Sequence, residues 1–292
     1  MPEGDVVRRT ARTLHAALAG QVLTSFDLRV PQWATTDLCG NRVEAVLAVG
    51  KHLLMRVAPE LTVHSHLRMD GSWQLYRPGQ RWTGGAGHTI RAVLGNEQWQ
   101  AVGYRVHELA VVARADEGTL VGHLGPDLLG TQWQVQAGVT RLLADPGRTV
   151  GEALVDQRTV AGIGNVYKSE TLFLAGVDPW LPVGSVPDPA AVLGLARRLM
   201  TANLARTGQV TTGQTRRGHQ HWVYRRDGQP CRRCGTTVRA GVQGAPGSER
   251  STYWCPACQP GPGPGAASTG GSSTTWGGRG PGSKPGGASR RA

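Results

Sequence analysis

Four cysteines near the carboxyl terminus constrain the fold more than any other feature of this sequence. They form two Cys-x-x-Cys pairs, Cys231/Cys234 and Cys255/Cys258, with twenty residues between the pairs. This spacing is typical of a zinc ribbon, in which four thiolates from two hairpins surround one structural zinc ion. Four protein ligands leave no position for a water molecule, so the metal is expected to stiffen the hairpin only. Arg250, five residues before Cys255, would then be a rigidly held phosphate clamp.

The net charge indicates a polyanionic partner. The 292 residues carry a formal net charge of +12. Residues 260–292 contain four basic residues and no acidic residue, so subtracting them leaves +8 for residues 1–259. Because the part that is expected to fold is itself basic, nucleic acid is the expected partner. Residues 260–292 are rich in Gly, Pro and Ser and are predicted to be disordered.

The rest of the composition bears on the cellular compartment. No apolar run approaches the roughly 18 residues of a membrane span, and the amino terminus lacks a signal-peptide pattern. Cysteines in metal-ligand spacing also favour a reducing compartment. We therefore expect a soluble, cytoplasmic protein. The fifth cysteine, Cys39, is predicted to be a small buried hydrophobic residue.

The first half of the chain predicts one amphipathic helix followed by β-strands. Asp5 is expected to cap a helix that ends at Gly20 and carries apolar residues at helical spacing. Six short segments rich in Val and Leu follow, separated by Gly, Pro and Asn, and they predict a β-sandwich. The predicted strands are 22–30, 42–49, 52–57, 61–66, 88–94 and 105–112.

The second half is predicted to be helical, with a domain boundary between residues 115 and 130. Helices are expected at 150–156, at 168–175 and from Pro189 to about residue 205, the last with Asp188 as its N-cap. The segment between the first two contains Gly162, Gly164 and Asn165. Such a turn can aim backbone N–H groups and an Asn side chain at a phosphate, although the glycines can equally be turn formers alone.

Pro2 and Glu3 are a candidate catalytic pair. Removal of Met1 would leave Pro2 as a free secondary amine, and an α-amine with a pKa near ~8 is nucleophilic at neutral pH. The Glu3 carboxyl group can protonate a leaving group or a sugar oxygen. The alternative is that Pro2 simply follows the initiator Met and that Glu3 complements the dipole of a helix start.

Two predicted turns carry further candidate residues. Lys51 lies at the tip of a hairpin between two predicted strands, and it is either a solvated turn charge or a phosphate or catalytic contact. Met69 lies in the turn 66–71. It is either a gap-filling core residue or an apolar wedge that enters a base stack.

Six motifs give the chain a resemblance to the formamidopyrimidine-DNA glycosylase and endonuclease VIII family over about residues 2–259. They are Pro-Glu-Gly at 2–4, Val-Gly-Lys at 49–51, Leu-Gly-Pro-Asp at 124–127, Ala-Gly-Ile-Gly-Asn-Val-Tyr at 161–167, Val-Tyr-Arg at 223–225 and Arg-Ser-Thr-Tyr-Trp-Cys-Pro-Ala-Cys-Gln at 250–259.

The resemblance implies an α+β multidomain fold. An N-terminal β-sandwich catalytic domain with flanking helices would span 1–120, a helix-two-turn-helix DNA-binding domain 121–225 and a zinc finger 226–259, followed by the disordered tail. Damaged DNA would lie in the cleft between the first two domains. The protein would be a monomer with one structural Zn²⁺ and no organic cofactor.

The resemblance also implies a DNA glycosylase of base excision repair that cuts the strand at the lesion by β,δ-elimination. Pro2 would attack C1′ of a flipped nucleotide and form a Schiff base, with Glu3 as proton donor. Lys51 would be the proton donor for β-elimination, and Arg250 would assist δ-elimination. The DNA-binding residues would be Arg68, Met69, Asn165, Lys168 and Arg250. Of these, Asn165 and Arg250 would hold the phosphates that flank the lesion, and Arg68 and Met69 would occupy the turn that fills the void left by the extruded base.

Two departures from the family pattern bear on the substrate. Many relatives have Glu where this chain has Val6, so any role of that carboxylate is absent here or supplied elsewhere. The branch that acts on guanine lesions carries Arg-Phe-Gly on the loop that reads the opposite base, whereas residues 103–107 here are Gly-Tyr-Arg-Val-His. With the Pro-Glu-Gly opening, this favours the endonuclease VIII branch, whose substrates are oxidised pyrimidines. The chain most resembles the second endonuclease VIII type of actinobacteria.

Three other functions remain open from the sequence. They are a lesion- or abasic-site-binding protein of the same fold without excision activity, a glycosylase of the oxidised-purine branch, and a zinc-ribbon transcription or RNA-binding module. Intact Pro2 and Glu3 argue against the first, because a binding protein has no need of an amino-terminal amine. The last leaves the chain before Cys231 unexplained.

Overall fold

The amino-terminal half of the chain is a β-sandwich. The structure, a computed structural model, describes residues 2–265, so of the tail 260–292 that is predicted to be disordered, residues 266–292 lie outside the described residues. The strands are β1 (Ser25–Leu28), β2 (Val43–Val49), β3 (His52–Val57), β4 (Leu61–His66), β5 (Ser72–Tyr76), β6 (Ile90–Gly95), β7 (Gln100–Tyr104) and β8 (Glu108–Ala113). They form two four-stranded antiparallel sheets, in the orders β1-β6-β7-β5 and β2-β3-β4-β8. The prediction of a β-sandwich is confirmed.

Strands β5 and β7 lie outside the segments that the sequence predicts. In β7, Ala101 and Gly103 have low strand propensity, and the strand is held by pairing with both β5 and β6. In β5, most residues are half-buried, so no clear alternation of apolar and polar residues marks the strand. The predicted strand at 105–112 begins only at Glu108, because residues 105–107 form the turn after β7.

Helix α1 (Gly4–Leu18) packs an apolar face that includes Val7, Leu14 and Leu18 against the sandwich core. The prediction that Asp5 caps this helix is wrong. Glu3 occupies the N-cap position, and Asp5 lies inside the first turn, where it is fully buried. Its Oδ1 atom accepts a hydrogen bond from Gln209 Nε2 at 3.2 Å, so the loop after the last helix satisfies part of this carboxyl group.

The prediction for Cys39 is also wrong, because this cysteine is exposed. Its backbone N–H donates to Asp37 Oδ1 at 2.8 Å in a turn, and the preceding Leu38 takes the buried position instead.

After α1, the helices are α2 (Glu117–Val121), α3 (Val135–Leu142), α4 (Val150–Val155), α5 (Asn165–Ala175) and α6 (Pro189–Ala202). Helix α2 is attached to the sandwich, because Glu117 accepts hydrogen bonds from Arg56 and Thr62. Helices α3 to α6 form the second half, and their shared core includes Leu154, Tyr167 and Leu193. Asp188 caps α6 as predicted, since its side chain accepts a hydrogen bond from Ala191 N at 2.8 Å. Within the described residues, none of the helices is long and apolar enough to cross a membrane.

The four-cysteine segment forms an antiparallel hairpin of β9 (Arg239–Gln243) and β10 (Arg250–Trp254). In this hairpin, Arg250 lies opposite Gln243. Strand β10 packs against α5, so the hairpin is attached to the helical half of the protein.

Candidate active site

A cavity of about 260 Å³ lies where the sandwich, the helical half and the hairpin meet. Predicted catalytic and DNA-binding residues from all three parts line it, namely Pro2, Lys51, Arg68, Met69, Asn165 and Arg250. Lys168 lines a second cavity of about 410 Å³, which shares Arg250 with the first. Residues that are far apart in the sequence thus surround one space, although their individual roles stay predictions.

Glu3 is buried beside this cavity and binds the amino-terminal end of α5. Its Oε2 atom accepts a hydrogen bond from Gly164 N at 2.8 Å and a longer one from Tyr167 N at 3.4 Å. Its Oε1 atom accepts from Val166 N at 2.8 Å. The backbone N–H groups that the sequence suggested for a phosphate are therefore taken by Glu3. Burial raises the pKa of Glu3, while the charge of Lys51 and the backbone hydrogen bonds act in the opposite direction.

The turn before α5 is shaped to admit this carboxylate. A Cβ atom at Gly164 would lie 2.5 Å from Glu3 Cδ, so any larger residue there would displace the side chain. Gly162 has a φ of +107°, which favours glycine, and its carbonyl accepts a hydrogen bond from Gly4 N at 2.9 Å. The glycines of this motif are thus more than simple turn formers, because they let the amino terminus approach the helix.

Lys51 extends from its hairpin toward the same turn. Its Nζ atom donates to Ile163 O at 2.5 Å, which does not fit a solvated turn charge. Burial lowers the pKa of Lys51 to about 8, with Glu3 acting to raise it and Arg250 acting to lower it. An amine with this pKa can both hold and release a proton near neutral pH.

Asp127 fixes the hairpin that carries Lys51. Its Oδ2 atom accepts hydrogen bonds from Gly50 N at 3.1 Å and from Arg8 Nη2 at 3.2 Å. Its Oδ1 atom accepts from Leu129 N at 2.9 Å. One carboxylate thus joins α1, the Lys51 hairpin and the helical half of the protein.

Asn165 and Arg250 have polar groups that are free for a ligand. Asn165 is the first residue of α5, and its Oδ1 atom is buried without a hydrogen-bond partner among residues 2–265. Arg250 is exposed at the start of β10, and within the described part of the chain it donates only to the carbonyl groups of Ser248 and Glu249. Both side chains line the cavity, in positions compatible with the predicted phosphate contacts.

Lys168 has a different environment. Its side chain is fully buried, and its Nζ atom donates to Thr252 Oγ1 at 2.7 Å and to Ser251 O at 3.3 Å. Burial lowers the pKa of Lys168 to about 7, with Arg250 contributing in the same direction. The ammonium group is engaged by β10, so a direct phosphate contact would require it to leave these partners.

The turn with Arg68 and Met69 projects from the sandwich. Met69 is 66% exposed, which excludes the gap-filling core role and leaves the wedge interpretation. Arg68 has a φ of +51° and forms an ion pair with Glu108. Asp70 pairs with Arg105 at 3.2 Å and with His107 at 3.2 Å. The segment that differs from the guanine-lesion branch therefore contacts the turn that carries Met69.

His66 and Gln157 also line the cavity and are not predicted from the sequence. Gln157 Nε2 donates to Ile163 O at 3.0 Å, and Gln157 Oε1 accepts from Gly162 N at 3.0 Å, so this side chain shapes the turn before α5. No local sequence pattern predicts this role of Gln157. His66 shares one sheet face with His52 and His64, and this alternation is a signal that the sequence does contain.

The four thiol groups of the hairpin form a compact cluster, with all Sγ atoms within 4.8 Å of one another. Two of the Sγ pairs lie at 3.9 Å (Cys231 and Cys258) and 3.5 Å (Cys234 and Cys255). Metal–sulfur bonds of about 2.3 Å in a tetrahedron require sulfur separations of about 3.8 Å. The donor set and its geometry therefore fit a structural metal ion.

Comparisons with known proteins agree with this architecture. Three family models match the chain: the formamidopyrimidine-DNA glycosylase N-terminal domain at residues 1–122, the formamidopyrimidine-DNA glycosylase H2TH domain at 124–211 and the zinc finger found in FPG and IleRS at 228–261. The chain is 57% identical to the probable endonuclease 8 2 of Streptomyces coelicolor, over 90% of this chain and 96% of that protein. It is 47% identical to the DNA-(apurinic or apyrimidinic site) lyase Nei2 of Mycolicibacterium smegmatis, over 89% of this chain and 99% of that protein.

A solved structure of the Lactococcus lactis Fpg in complex with DNA containing an abasic site has the same fold. It superimposes with a TM-score of 0.73 at 20% identity, over 89% of this chain and 100% of that one. The sequence matches extend over almost the whole described region, and they follow the order of sandwich, helical half and finger. The chain therefore belongs to the formamidopyrimidine-DNA glycosylase and endonuclease VIII family.

Proposed function

We propose that this protein is a bifunctional DNA glycosylase and abasic-site lyase of base excision repair. The observation that carries the proposal is the single cavity lined by Pro2, Lys51, Asn165 and Arg250, with Glu3 buried beside it. This arrangement brings an amino-terminal amine, an acid, a second amine and phosphate-binding groups to one place. The relatives named as endonuclease 8 2 and as an abasic-site lyase support the same reaction class.

Pro2 becomes the nucleophile once Met1 has been removed. Its secondary amine attacks C1′ of the damaged nucleotide, and the bond from C1′ to the base breaks. Glu3 supplies the proton that accompanies the departing base, and burial raises its pKa, which favours the protonated acid. Opening of the sugar ring then leaves an iminium ion between Pro2 and C1′.

The iminium ion makes strand cleavage possible. It acidifies the C2′ proton, so loss of that proton breaks the C3′–O bond in β-elimination, with Lys51 as proton donor. A second elimination breaks the C5′–O bond, assisted by Arg250 at the neighbouring phosphate. Asn165 holds the other flanking phosphate, and Met69 with Arg68 fills the gap in the duplex.

Damaged DNA is the proposed partner, and oxidised pyrimidines are the proposed substrates. The pyrimidine assignment rests on the residues at 103–107, which lack the motif of the guanine-lesion branch. We propose that the protein acts as a monomer without an organic cofactor. We propose zinc as the ion of the four thiolates, a division into domains at 1–120, 121–225 and 226–259, and action in the cytoplasm.

Borohydride trapping tests the proposed function. Purified protein is incubated with duplexes that carry thymine glycol, 5-hydroxyuracil, 8-oxoguanine or an abasic site, and intact-mass spectrometry establishes whether Met1 has been removed. We expect covalent trapping through Pro2 on the abasic site and on the oxidised pyrimidines. Binding without trapping would identify a lesion-binding protein instead, and preferential trapping on 8-oxoguanine would place the enzyme in the purine branch.

A further inference from the structure

A chain of buried polar side chains runs from α5 into the hairpin that carries Arg250. Lys168 and Thr252 are both fully buried, and the Lys168 Nζ atom donates to Thr252 Oγ1 at 2.7 Å. Thr252 Oγ1 in turn donates to Gln243 Oε1 at 2.8 Å, which crosses the hairpin from β10 to β9. Nothing in the mechanism above uses this chain of hydrogen bonds.

Gln243 anchors the chain in the helical half of the protein. Its Nε2 atom donates to Pro179 O at 2.9 Å and to Thr149 Oγ1 at 3.0 Å. Gly151 leaves room for this side chain, since a Cβ atom there would lie 2.2 Å from Gln243 Oε1. The hairpin is therefore attached at two points, through Lys168 on α5 and through the segments around Thr149 and Pro179.

Packing alone does not explain this arrangement, because it costs free energy of folding. A buried lysine costs free energy unless its ammonium group is fully hydrogen-bonded, and apolar side chains of similar volume pack without that cost. Here the side chains of Lys168, Thr252 and Gln243 are joined in one hydrogen-bonded network, and such networks favour a single geometry. The element whose geometry is held is β10, which begins at Arg250.

The geometry connects the network directly to Arg250. Arg250 and Thr252 are two residues apart on β10, so their side chains leave the same face of the strand. Gln243 lies opposite Arg250 in the register of the hairpin. Among residues 2–265, the Arg250 side chain donates to the nearby carbonyl groups of Ser248 and Glu249 alone, so its position depends on the backbone of β10.

We propose that the Lys168–Thr252–Gln243 chain positions Arg250, and that Thr252 and Gln243 are positioning residues for δ-elimination. The inference rests on the proposed lyase activity and adds a second support for the hairpin, besides the metal site. The metal holds the cysteine end of the hairpin, whereas the polar chain holds the Arg250 end. Loss of the Thr252 hydroxyl is expected to let Arg250 shift relative to the phosphate, and a displacement of about 1 Å can cost on the order of 10²-fold in rate.

The test uses Thr252→Val, which keeps the shape of the side chain and removes the hydroxyl, with Thr252→Ser as the rescue variant. Ser251→Ala is the matched control, because Lys168 contacts only the backbone carbonyl of Ser251. Single-turnover assays of the full-length, metal-loaded proteins on an abasic duplex measure the β- and δ-elimination products separately. Borohydride trapping and bound zinc are measured in parallel.

We expect Thr252→Val to slow δ-elimination by at least about tenfold, with trapping and zinc content within about twofold of the wild type. Thr252→Ser and Ser251→Ala should keep the wild-type ratio of products. An unchanged ratio in Thr252→Val overturns the inference, and so does a Thr252→Ser variant as impaired as Thr252→Val. If Thr252→Val loses zinc, the Gln243→Met variant takes its place in the test, and the same product ratio, trapping and zinc content are required of it. A wild-type protein that neither traps nor cuts refutes the proposed function itself.

Discussion

Glu3 combines two tasks that favour opposite protonation states. Three backbone N–H groups point at its oxygens, an arrangement that suits a charged carboxylate. A proton donor must instead be the neutral acid, and protonation of one oxygen weakens its bonds to those N–H groups. Burial raises the pKa of Glu3 and so favours the acid. Glu3 is therefore an acid that can protonate the departing base. Its loss of the proton is assisted, because the hydrogen bonds from the three backbone N–H groups become stronger when Glu3 becomes a carboxylate.

We predict that Glu3→Gln separates base excision from strand cleavage. Excision should fall by about 10²- to 10⁴-fold, because the amide has no acidic proton to give to the base. A preformed abasic site has no base to expel, so its cleavage should survive in part. Single-turnover assays on a 5-hydroxyuracil duplex and on an abasic duplex measure the two rates.

The same substitution should also lower stability, and this needs its own control. One end of the glutamine amide is a donor, so it must face a backbone N–H group that Glu3 now satisfies, at a cost of about 1–3 kcal/mol. Thermal unfolding shows whether the variant is folded at the assay temperature. Equal losses on the two substrates in a folded variant would assign Glu3 to Schiff-base formation instead.

Lys51 should set the alkaline limit of β-elimination. Its pKa is lowered to about 8, so it is protonated below that pH and loses the proton as the pH rises through it. A proton donor is thus present in most molecules at pH 7 and in only a small fraction of them at pH 9. Arginine stays protonated throughout this range. We predict that the ratio of the Lys51→Arg rate to the wild-type rate on an abasic duplex increases between pH 7 and pH 9.

The ratio removes the contribution of Pro2, because its amine titrates in both proteins. A ratio that stays constant with pH would show that the alkaline limit belongs to another group. The absolute rate of the variant at pH 7 is expected to be lower than that of the wild type, since the longer side chain does not reproduce the contact with Ile163 O.

Helix α5 is the element on which the site is built. Its amino-terminal end binds Glu3, its first residue is Asn165, and one turn later Lys168 binds β10. An acid, a phosphate contact and the support of Arg250 therefore share one rigid support. A small displacement of this helix should affect all three at once.

We predict that Gly164→Ala impairs excision and stability together. The new Cβ atom would lie 2.5 Å from Glu3 Cδ, so either the carboxylate or the helix must move. Overpacking of this kind costs about 1–3 kcal/mol. Thermal unfolding and single-turnover excision measure the two effects. Gly118→Ala is the control, because nothing lies within 4 Å of a Cβ atom at Gly118. A fully active Gly164→Ala variant would mean that the Glu3 contact is dispensable.

The cysteine hairpin provides the second test at this scale. Removal of the metal, or Cys255→Ser, should abolish strand cleavage, because the finger unfolds without its metal and Arg250 then loses both the polar chain that positions it and its contact with the phosphate beside the lesion. The matched control is Cys39→Ser, which changes an exposed cysteine outside the cluster and should keep both zinc and activity. Cleavage at the normal rate by a sample that elemental analysis finds free of zinc would contradict a structural role for the metal.

Across the whole molecule, the features that can be predicted from the sequence are those that depend on residues close together in the chain. Cysteine spacing predicts the metal cluster, strand patterns predict the sandwich, and Asp188 announces the start of α6. The burial of Lys168 and of Asp5 has no local signal, because each is covered by a segment that is distant in the chain. Glu3 illustrates the same limit, since its partners at 164–167 lie on another domain. The resemblance to a family assigned roles to the candidate residues, but only the assembled fold shows what each side chain contacts.

Asp127 is where the two halves of the protein are joined, and we predict that Asp127→Asn slows strand cleavage more than it weakens DNA binding. Asp127 now accepts hydrogen bonds from Gly50 N and Leu129 N and pairs with Arg8. The asparagine side chain has only one acceptor oxygen. Its amide N–H₂ group must therefore face one of the backbone N–H groups that Asp127 now satisfies, at a cost of about 1–3 kcal/mol in the free energy of unfolding. Gly50 precedes Lys51, so the hairpin that carries Lys51 should lose its fixed position.

The expected result is a cleavage rate about tenfold or more below that of the wild type, since small displacements of a reacting group are costly. Binding to an abasic duplex should change much less, because within residues 2–265 the side chain of Asp127 accepts hydrogen bonds from Arg8, Gly50 and Leu129 and from none of the proposed DNA-binding residues. Asp227→Asn is the control, since Asp227 is exposed and its side chain has no hydrogen bond within residues 2–265. Cleavage at the wild-type rate with a reduced melting temperature would show that the joint serves stability alone. A loss of binding equal to the loss of rate would show that Asp127 sets the width of the DNA cleft rather than the position of Lys51.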